Sequence, residues 1–188
     1  MSARNAGLGL ALALACFTAP ALPAQSPAAS GPRPAQQVVD QAVAQAKSQQ
    51  KHVIVYFTAS WCGWCHRFQK FLEDPVVGKL MAAHFVSVGL TVDETGEKKA
   101  LENPGGEELK KKMGGTGGIP FYFMLDASGR KIGDANGLPD GSNIGHPYTA
   151  EEIRAFDALL AKTAPRMTAA ERAQINAYLT EVAKTTVP

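Results

Sequence analysis

Cys62 and Cys65, separated by two residues in Trp61-Cys62-Gly63-Trp64-Cys65-His66, are the side chains of this chain best suited to covalent chemistry. Thiols at this spacing close a small ring reversibly, so a mixed disulfide formed at one sulfur is released by intramolecular attack from the other. The chemistry implied is thiol–disulfide exchange, and its nucleophile is a thiolate. The apolar run Val53-Ile54-Val55-Tyr56-Phe57 precedes the pair and predicts a buried strand from about His52 to Thr58. Cys65, Phe68 and Leu72 at helical spacing, with Gln69 and Lys70 among them, predict a helix directly afterwards. The cysteines therefore fall at a strand-to-helix junction. Unpaired N–H groups and the positive dipole end at a helix start favour the thiolate of the first cysteine, Cys62.

The elements that must hold this junction are readable along the chain. Val39, Ala42, Val43 and Ala46 recur at helical spacing and predict an amphipathic helix over Ala35 to Gln50. After the motif helix, Asp74-Pro75 predicts a new helix to about Ala83, with Asp as N-cap and Pro at the first helical position. Phe85 to Leu90 reads as a second strand and Phe121 to Leu125 as a third. The turn signal Asp126-Ala127-Ser128-Gly129 then leads into a short fourth strand near Arg130 to Ile132, making a hairpin. Thr149 with Glu152, and Thr168 with Glu171, have capping-box spacing, so two helices start there. This order predicts an α/β domain built on a mixed sheet with helices on both faces, the cysteine pair lying at the C-terminal end of a strand.

Residues 1–24 have the layout of a signal peptide: Arg4 in a polar start, an apolar stretch from Leu8 to Phe17, then Pro20 and Pro23 among alanines. Cleavage after Ala24 or Ala21 is expected, which predicts a periplasmic or secreted protein. The apolar stretch is too short for a permanent span, so no stable membrane insertion is expected after cleavage. Lipid anchoring at Cys16 is the weaker alternative, because Ala13-Leu14-Ala15-Cys16 lacks a leucine three positions before the cysteine. Of three cysteines, loss of Cys16 leaves only the motif pair, so no framework of structural disulfides remains and an apolar core must hold the fold. Residues 25–34, rich in Pro, Ser, Ala and Gly, read as a flexible leader. Residues 35–164 read as one domain and 165–188 as a C-terminal helical extension. A net charge of +2 gives no general attraction to nucleic acid or to anionic membrane. The one basic run, Lys110-Lys111-Lys112, reads as the solvated face of a short helix behind Glu107 and Glu108.

Val53 to Phe57, then Ala59-Ser60-Trp61-Cys62-Gly63-Trp64-Cys65, and far downstream Gly118-Ile119-Pro120 before an apolar strand, resemble the thioredoxin superfamily, in particular its exported thioredoxin-like branch. The resemblance covers roughly residues 35 to 162. It implies a thioredoxin-like fold, Cys62 as nucleophile and Cys65 as resolving thiol. It also implies a cis peptide bond before Pro120, with Ile119-Pro120 as a platform for substrate backbone. Trp61 would shape the rim of the site, while Gly63 and Trp64 would be the variable pair that meets substrate. The partners implied are protein thiols or disulfides and a redox partner that regenerates the pair. No cofactor is implied beyond the redox-active Cys62–Cys65 disulfide.

The chain also departs from the family. The positions of a thioredoxin's buried aspartate and its lysine on the next strand fall at Tyr56 and about Gly89, so proton transfer for Cys65 is left to water, Tyr56, Asp93 or Glu94. Trp64 replaces the proline common in reductive members, which leaves reduction, oxidation and isomerisation all open. His66 is either a cation that helps the Cys62 thiolate or an exposed helical histidine. Cys62-Gly63-Trp64-Cys65-His66 also spells the attachment motif of c-type haem, a weaker reading because that motif needs neither the strand before it nor the Ile-Pro loop. A further alternative is a peptide- or partner-binding module with permanently oxidised cysteines. No histidine has zinc-like spacing, so no metal site is expected. Loops 91–118 and 133–149 are long enough to be functional or mobile; within the second, His146 reads as a loop-packing residue.

Overall fold

The structure is a computed structural model that describes residues 31–185. The expected signal segment, with Cys16, lies outside the described residues. Helix α1 (Ala35–Gln49) leads into β1 (His52–Thr58), and α2 (Gly63–Glu73) and α3 (Val77–His84) follow. After β2 (Phe85–Thr91) come a 3-10 helix (Gly96–Leu101) and α4 (Gly106–Lys112). The hairpin β3 (Phe121–Leu125) and β4 (Lys131–Asp134) precedes α5 (Ala150–Thr163) and α6 (Ala169–Thr185).

The four strands form one mixed sheet in the order β2-β1-β3-β4: β1 is parallel to β2 and antiparallel to β3, and β3 is antiparallel to β4. This is a thioredoxin-like α/β sheet. Because side chains alternate across a strand, the sheet sorts its aromatics onto two faces. One face carries Tyr122, stacked on Phe68 of α2 at 4.7 Å and meeting Phe156 of α5 edge-on at 6.0 Å. The other carries Phe57, Phe121 and Phe123, with ring centroids about 6 Å apart. On this second side, space for a Cβ on Gly115, just after α4, is filled by the Phe121 ring and Lys110. Helix α1 touches α4 and lies along β1 and β2. Burial of both faces joins all these side chains, and Ile175 and Leu179 of α6, into one apolar core.

Differences from the sequence expectations are local. Asp74 does not start α3; its Oδ1 accepts from the N–H groups of Val76 and Val77 at 2.8 and 2.9 Å, making a turn before the helix begins at Val77. The fourth strand begins one residue later than expected, at Lys131, after a turn held by Asp126 and by Gly129 at φ 82°. Arg33, placed at the end of a flexible leader, is tied down: its carbonyl accepts from Asn103 Nδ2 at 2.8 Å, and Ala35 N–H donates to the Pro104 carbonyl. Lys110 is the clearest correction. Lys111 and Lys112 are exposed, but Lys110 is only 4% exposed and pairs with Asp93 at 2.5 Å and Glu107 at 2.9 Å, because its helical position points it under the loop after β2. Burial opposes the Lys110 ammonium, yet hydrogen bonds to both carboxylates outweigh it and raise the pKa.

Candidate functional site

Strand β1 ends at Thr58, and after Ala59, Ser60 and Trp61 the chain enters α2 with Cys62 as its N-cap. Cys62 and Cys65 are joined by a disulfide. Backbone groups are the polar neighbours of both sulfurs. Cys65 N–H donates to Cys62 Sγ at 3.1 Å, the Ile119 carbonyl oxygen lies 3.5 Å from Cys62 Sγ, and the Phe57 carbonyl lies 4.0 Å from Cys65 Sγ. An N–H in the first turn aimed at Cys62 Sγ would stabilise a thiolate there once the disulfide is reduced. Cys65 is fully buried and Cys62 is 4% exposed. The two sulfurs share a small apolar cluster with Ala59 and Ile119.

Opposite them, the Ile119–Pro120 peptide bond is cis. This turn is held by a residue the sequence reading did not single out, Asn143. Its Nδ2 donates to the Gly118 carbonyl at 2.9 Å and the Pro120 carbonyl at 3.0 Å, so loop 133–149 braces the end of loop 91–118. Asn136 does the same farther out, donating to the Gly114 carbonyl.

Trp61 is 59% exposed on the rim, its indole N–H donating to the Asp93 carbonyl at 2.8 Å. Gly63 opens α2, with open space where a Cβ would stand. Trp64 is partly exposed and enclosed from several sides: the Arg67 guanidinium lies 4.4 Å over its ring, His146 stacks on it at 6.2 Å and Tyr148 meets it edge-on at 5.3 Å. His66 is exposed on the flank of α2, in a shallow cleft with Ser60, Gln69 and Glu94.

The residues considered for proton transfer are already engaged. Glu94 is 2% exposed and accepts from Ser60 N–H at 2.6 Å and the Ser60 hydroxyl at 2.9 Å, through one oxygen each. These charge-assisted bonds fix the turn that carries Trp61 and Cys62. Asp93 Oδ2 is bound to Lys110. Tyr56 packs edge-on against Phe68, and burial raises its pKa, with a hydrogen bond to Gln69 opposing and Glu73 adding to the rise. Tyr56 and Gly89 are register partners, and a Cβ on Gly89 would stand 2.8 Å from the Tyr56 ring and hydroxyl. The tyrosine thus occupies the space a side chain on β2 would need. Among the described residues no group of three or more His, Cys, Asp or Glu converges as a metal site.

His146 packs, as expected of it, and it does so on Trp64 of the motif itself and edge-on against Phe68. It is 6% exposed, and burial first, then the nearby Arg67, lowers its pKa to about 4, with Glu152 opposing. No sequence signal links residues 82 positions apart; only the length of loop 133–149 hinted that it does something.

A family model described as thioredoxin-like matches residues 34–127. No curated protein sequence matches the chain. Among solved structures, a disulphide isomerase from Xylella fastidiosa Temecula1 is 20% identical, the match covering 85% of this chain and 95% of that one with a TM-score of 0.45. A thioredoxin from Thermus thermophilus is 26% identical over 60% of this chain and 77% of that one, TM-score 0.39. A thioredoxin-fold protein from Helicobacter pylori is 17% identical over 70% and 86%, TM-score 0.41.

Proposed function

The chain belongs to the thioredoxin-like family, and on that premise we propose that it is an exported thiol–disulfide oxidoreductase acting on polypeptide thiols and disulfides through Cys62 and Cys65. The observation that carries this reading is the helix-capping pair itself: two bonded sulfurs, the first receiving the Cys65 N–H and standing 3.5 Å from the carbonyl before Pro120. In the reducing direction, the Cys62 thiolate attacks a substrate disulfide, forms a mixed disulfide and expels one substrate thiolate, which takes a proton from solvent. The Cys65 thiolate then attacks Cys62 Sγ and expels the second. Two electrons pass to the substrate and the Cys62–Cys65 disulfide re-forms; the reverse sequence oxidises a substrate dithiol. A separate thiol or disulfide partner resets the pair.

Trp61, Gly63, Trp64, Ile119 and Pro120 form the surface on which substrate lies, with cis-Pro120 beside Cys62. Covalent haem fits this environment less well, since both sulfurs are enclosed and His66 lies exposed on the flank of α2. Equilibration in glutathione buffers tests the exchange. A reduction potential of about −120 to −270 mV, the span of exchanging pairs, is expected. A pair below about −300 mV would mark a permanent bridge and sink the assignment in favour of a binding module. Export rests on the layout of residues 1–24, and the protein recovered from cells is expected to begin at Gln25 or Leu22. Recovery with Met1 in place would overturn it.

A further inference from the structure

The turn that faces the cysteines is not held by its own sequence. Residues 114–118 read Gly-Gly-Thr-Gly-Gly, and the last two are exposed, with open space where a Cβ would stand on Gly118. Glycine has the widest backbone freedom of any residue, so this strap cannot by itself fix where Ile119 and Pro120 lie. Side chains from β4 and loop 133–149 fix it instead. At the far end of the strap, Lys131 Nζ donates to the Met113 carbonyl at 2.7 Å and Asn136 Nδ2 to the Gly114 carbonyl at 2.9 Å. At the near end, Asn143 Nδ2 spends both of its hydrogens, one on the Gly118 carbonyl and one on the Pro120 carbonyl. Its Oδ1 accepts from the Gly145 N–H at 3.0 Å, and the next residue, Ile144, is buried and donates its N–H to the Ala135 carbonyl at 2.7 Å, just past β4. Asn143 therefore ties the turn to the sheet. Between the two clamped carbonyls stands Ile119, whose own carbonyl lies 3.5 Å from Cys62 Sγ and whose N–H, among the described residues, has no acceptor.

We propose that Asn143 is a positioning residue for disulfide exchange: by clamping the carbonyls on both sides of Ile119 it orders that backbone before substrate arrives, and so sets the preference of the site for polypeptide over small disulfides. The inference rests on the disulfide-exchange reading and adds a specificity determinant to it. A polypeptide held at Cys62 lies along the chain at Ile119, and whatever ordering a loose turn needs at that moment is subtracted from its affinity. A turn ordered beforehand carries no such cost. A small disulfide reaches Cys62 Sγ without lying along the turn, so the clamp gives it nothing. Both donors of Asn143 are spent on the turn, and it acts on the chemistry only through where Ile119 stands.

The test is single turnover of pre-reduced full-length protein on the homodisulfide of a short unstructured peptide and on hydroxyethyl disulfide. Asn143→Asp removes the two donors but keeps the oxygen that receives the Gly145 N–H. It is expected to raise the half-saturating peptide concentration about tenfold, the worth of one to two hydrogen bonds, with the limiting rate on peptide and the rate on hydroxyethyl disulfide unchanged. Asn143→Ser, whose hydroxyl also receives a nearby N–H, is run beside it and is expected to shift the peptide alone in the same way. Asn136→Asp makes the same chemical change at the far end of the strap and is expected to leave both substrates at wild-type rates. Wild-type peptide kinetics in Asn143→Asp, an equal loss on both substrates, or the same shift in Asn136→Asp overturns the inference. Failure of both Asn143 variants to fold overturns it too, by making Asn143 a folding residue. In each of those cases turnover of hydroxyethyl disulfide by the wild type leaves the exchange reading standing; a wild type inert toward both disulfides is failure of the exchange reading itself.

Discussion

Cys62→Ser is expected to bring insulin-disulfide reduction by the purified protein down to the uncatalysed background, while Cys65→Ser keeps the first step and stops at the second. The asymmetry follows from the site. Cys62 is the N-cap sulfur that receives the Cys65 N–H and lies beside the Pro120 turn, whereas Cys65 is fully buried behind it. A serine hydroxyl at position 62 is far too weak an acid to attack sulfur at neutral pH. At position 65, serine keeps the backbone N–H that stabilises the Cys62 thiolate but lacks the thiol that resolves the adduct. Mass spectrometry is therefore expected to find a one-to-one covalent substrate adduct on Cys65→Ser that dithiothreitol releases. Wild-type-like turnover by Cys62→Ser, or adducts formed equally well through residue 65, would refute the assignment of roles.

Acidification from pH 7 toward 4 is expected to cost the fold about 3 kcal/mol through His146 alone, a large share of the roughly 5–15 kcal/mol that holds an ordinary domain. The folded ring has its pKa lowered to about 4 by burial and then by Arg67 of α2, with Glu152 of α5 opposing, against 6.5 in the unfolded chain. Between those values the unfolded chain binds a proton that the folded chain does not. Stability is thus fully present above pH 6.5 and falls as pH drops through the window, at about 1.4 kcal/mol per pH unit. His52, also lowered by burial, adds in the same direction, so the measurement must compare variants. Denaturation at pH 7 and 4.5 is expected to show a smaller loss for His146→Gln than for wild type. Identical losses would mean that the imidazole is not the titrating group.

The sequence made β1 and β3 legible to the residue, since both are dense runs of strand formers bounded by turn signals. The helix starts at Thr149 and Thr168 were equally plain, because a capping box is a local pattern and both form as spaced. The cysteine pair was found from its spacing, and the cis bond before Pro120 was expected from the family resemblance. The remainder of the site is made by contacts without local trace. Ser60 reaches Glu94 across 34 residues, and Asn143 reaches back 25 to Gly118. His146 was expected to pack, but nothing local named Trp64 and Phe68 as the rings it packs against. Lys110 was missed because the charge run gave no hint of which of three lysines the helix turns inward.

The Cys62–Cys65 bond, which the proposed exchange would make and break, spans a sequence separation of only 3. Cross-links stabilise a fold largely by removing loop-closure entropy from the unfolded chain, and so short a loop has little to remove. The oxidised and reduced forms therefore draw on the same foundation, the shared core of α2, α5, α6 and the sheet. In that sense the proposed covalent switch would be nearly orthogonal to folding: the bond closes at the tip of α2, while Phe68, farther along the helix and stacked on Tyr122, anchors it in the core.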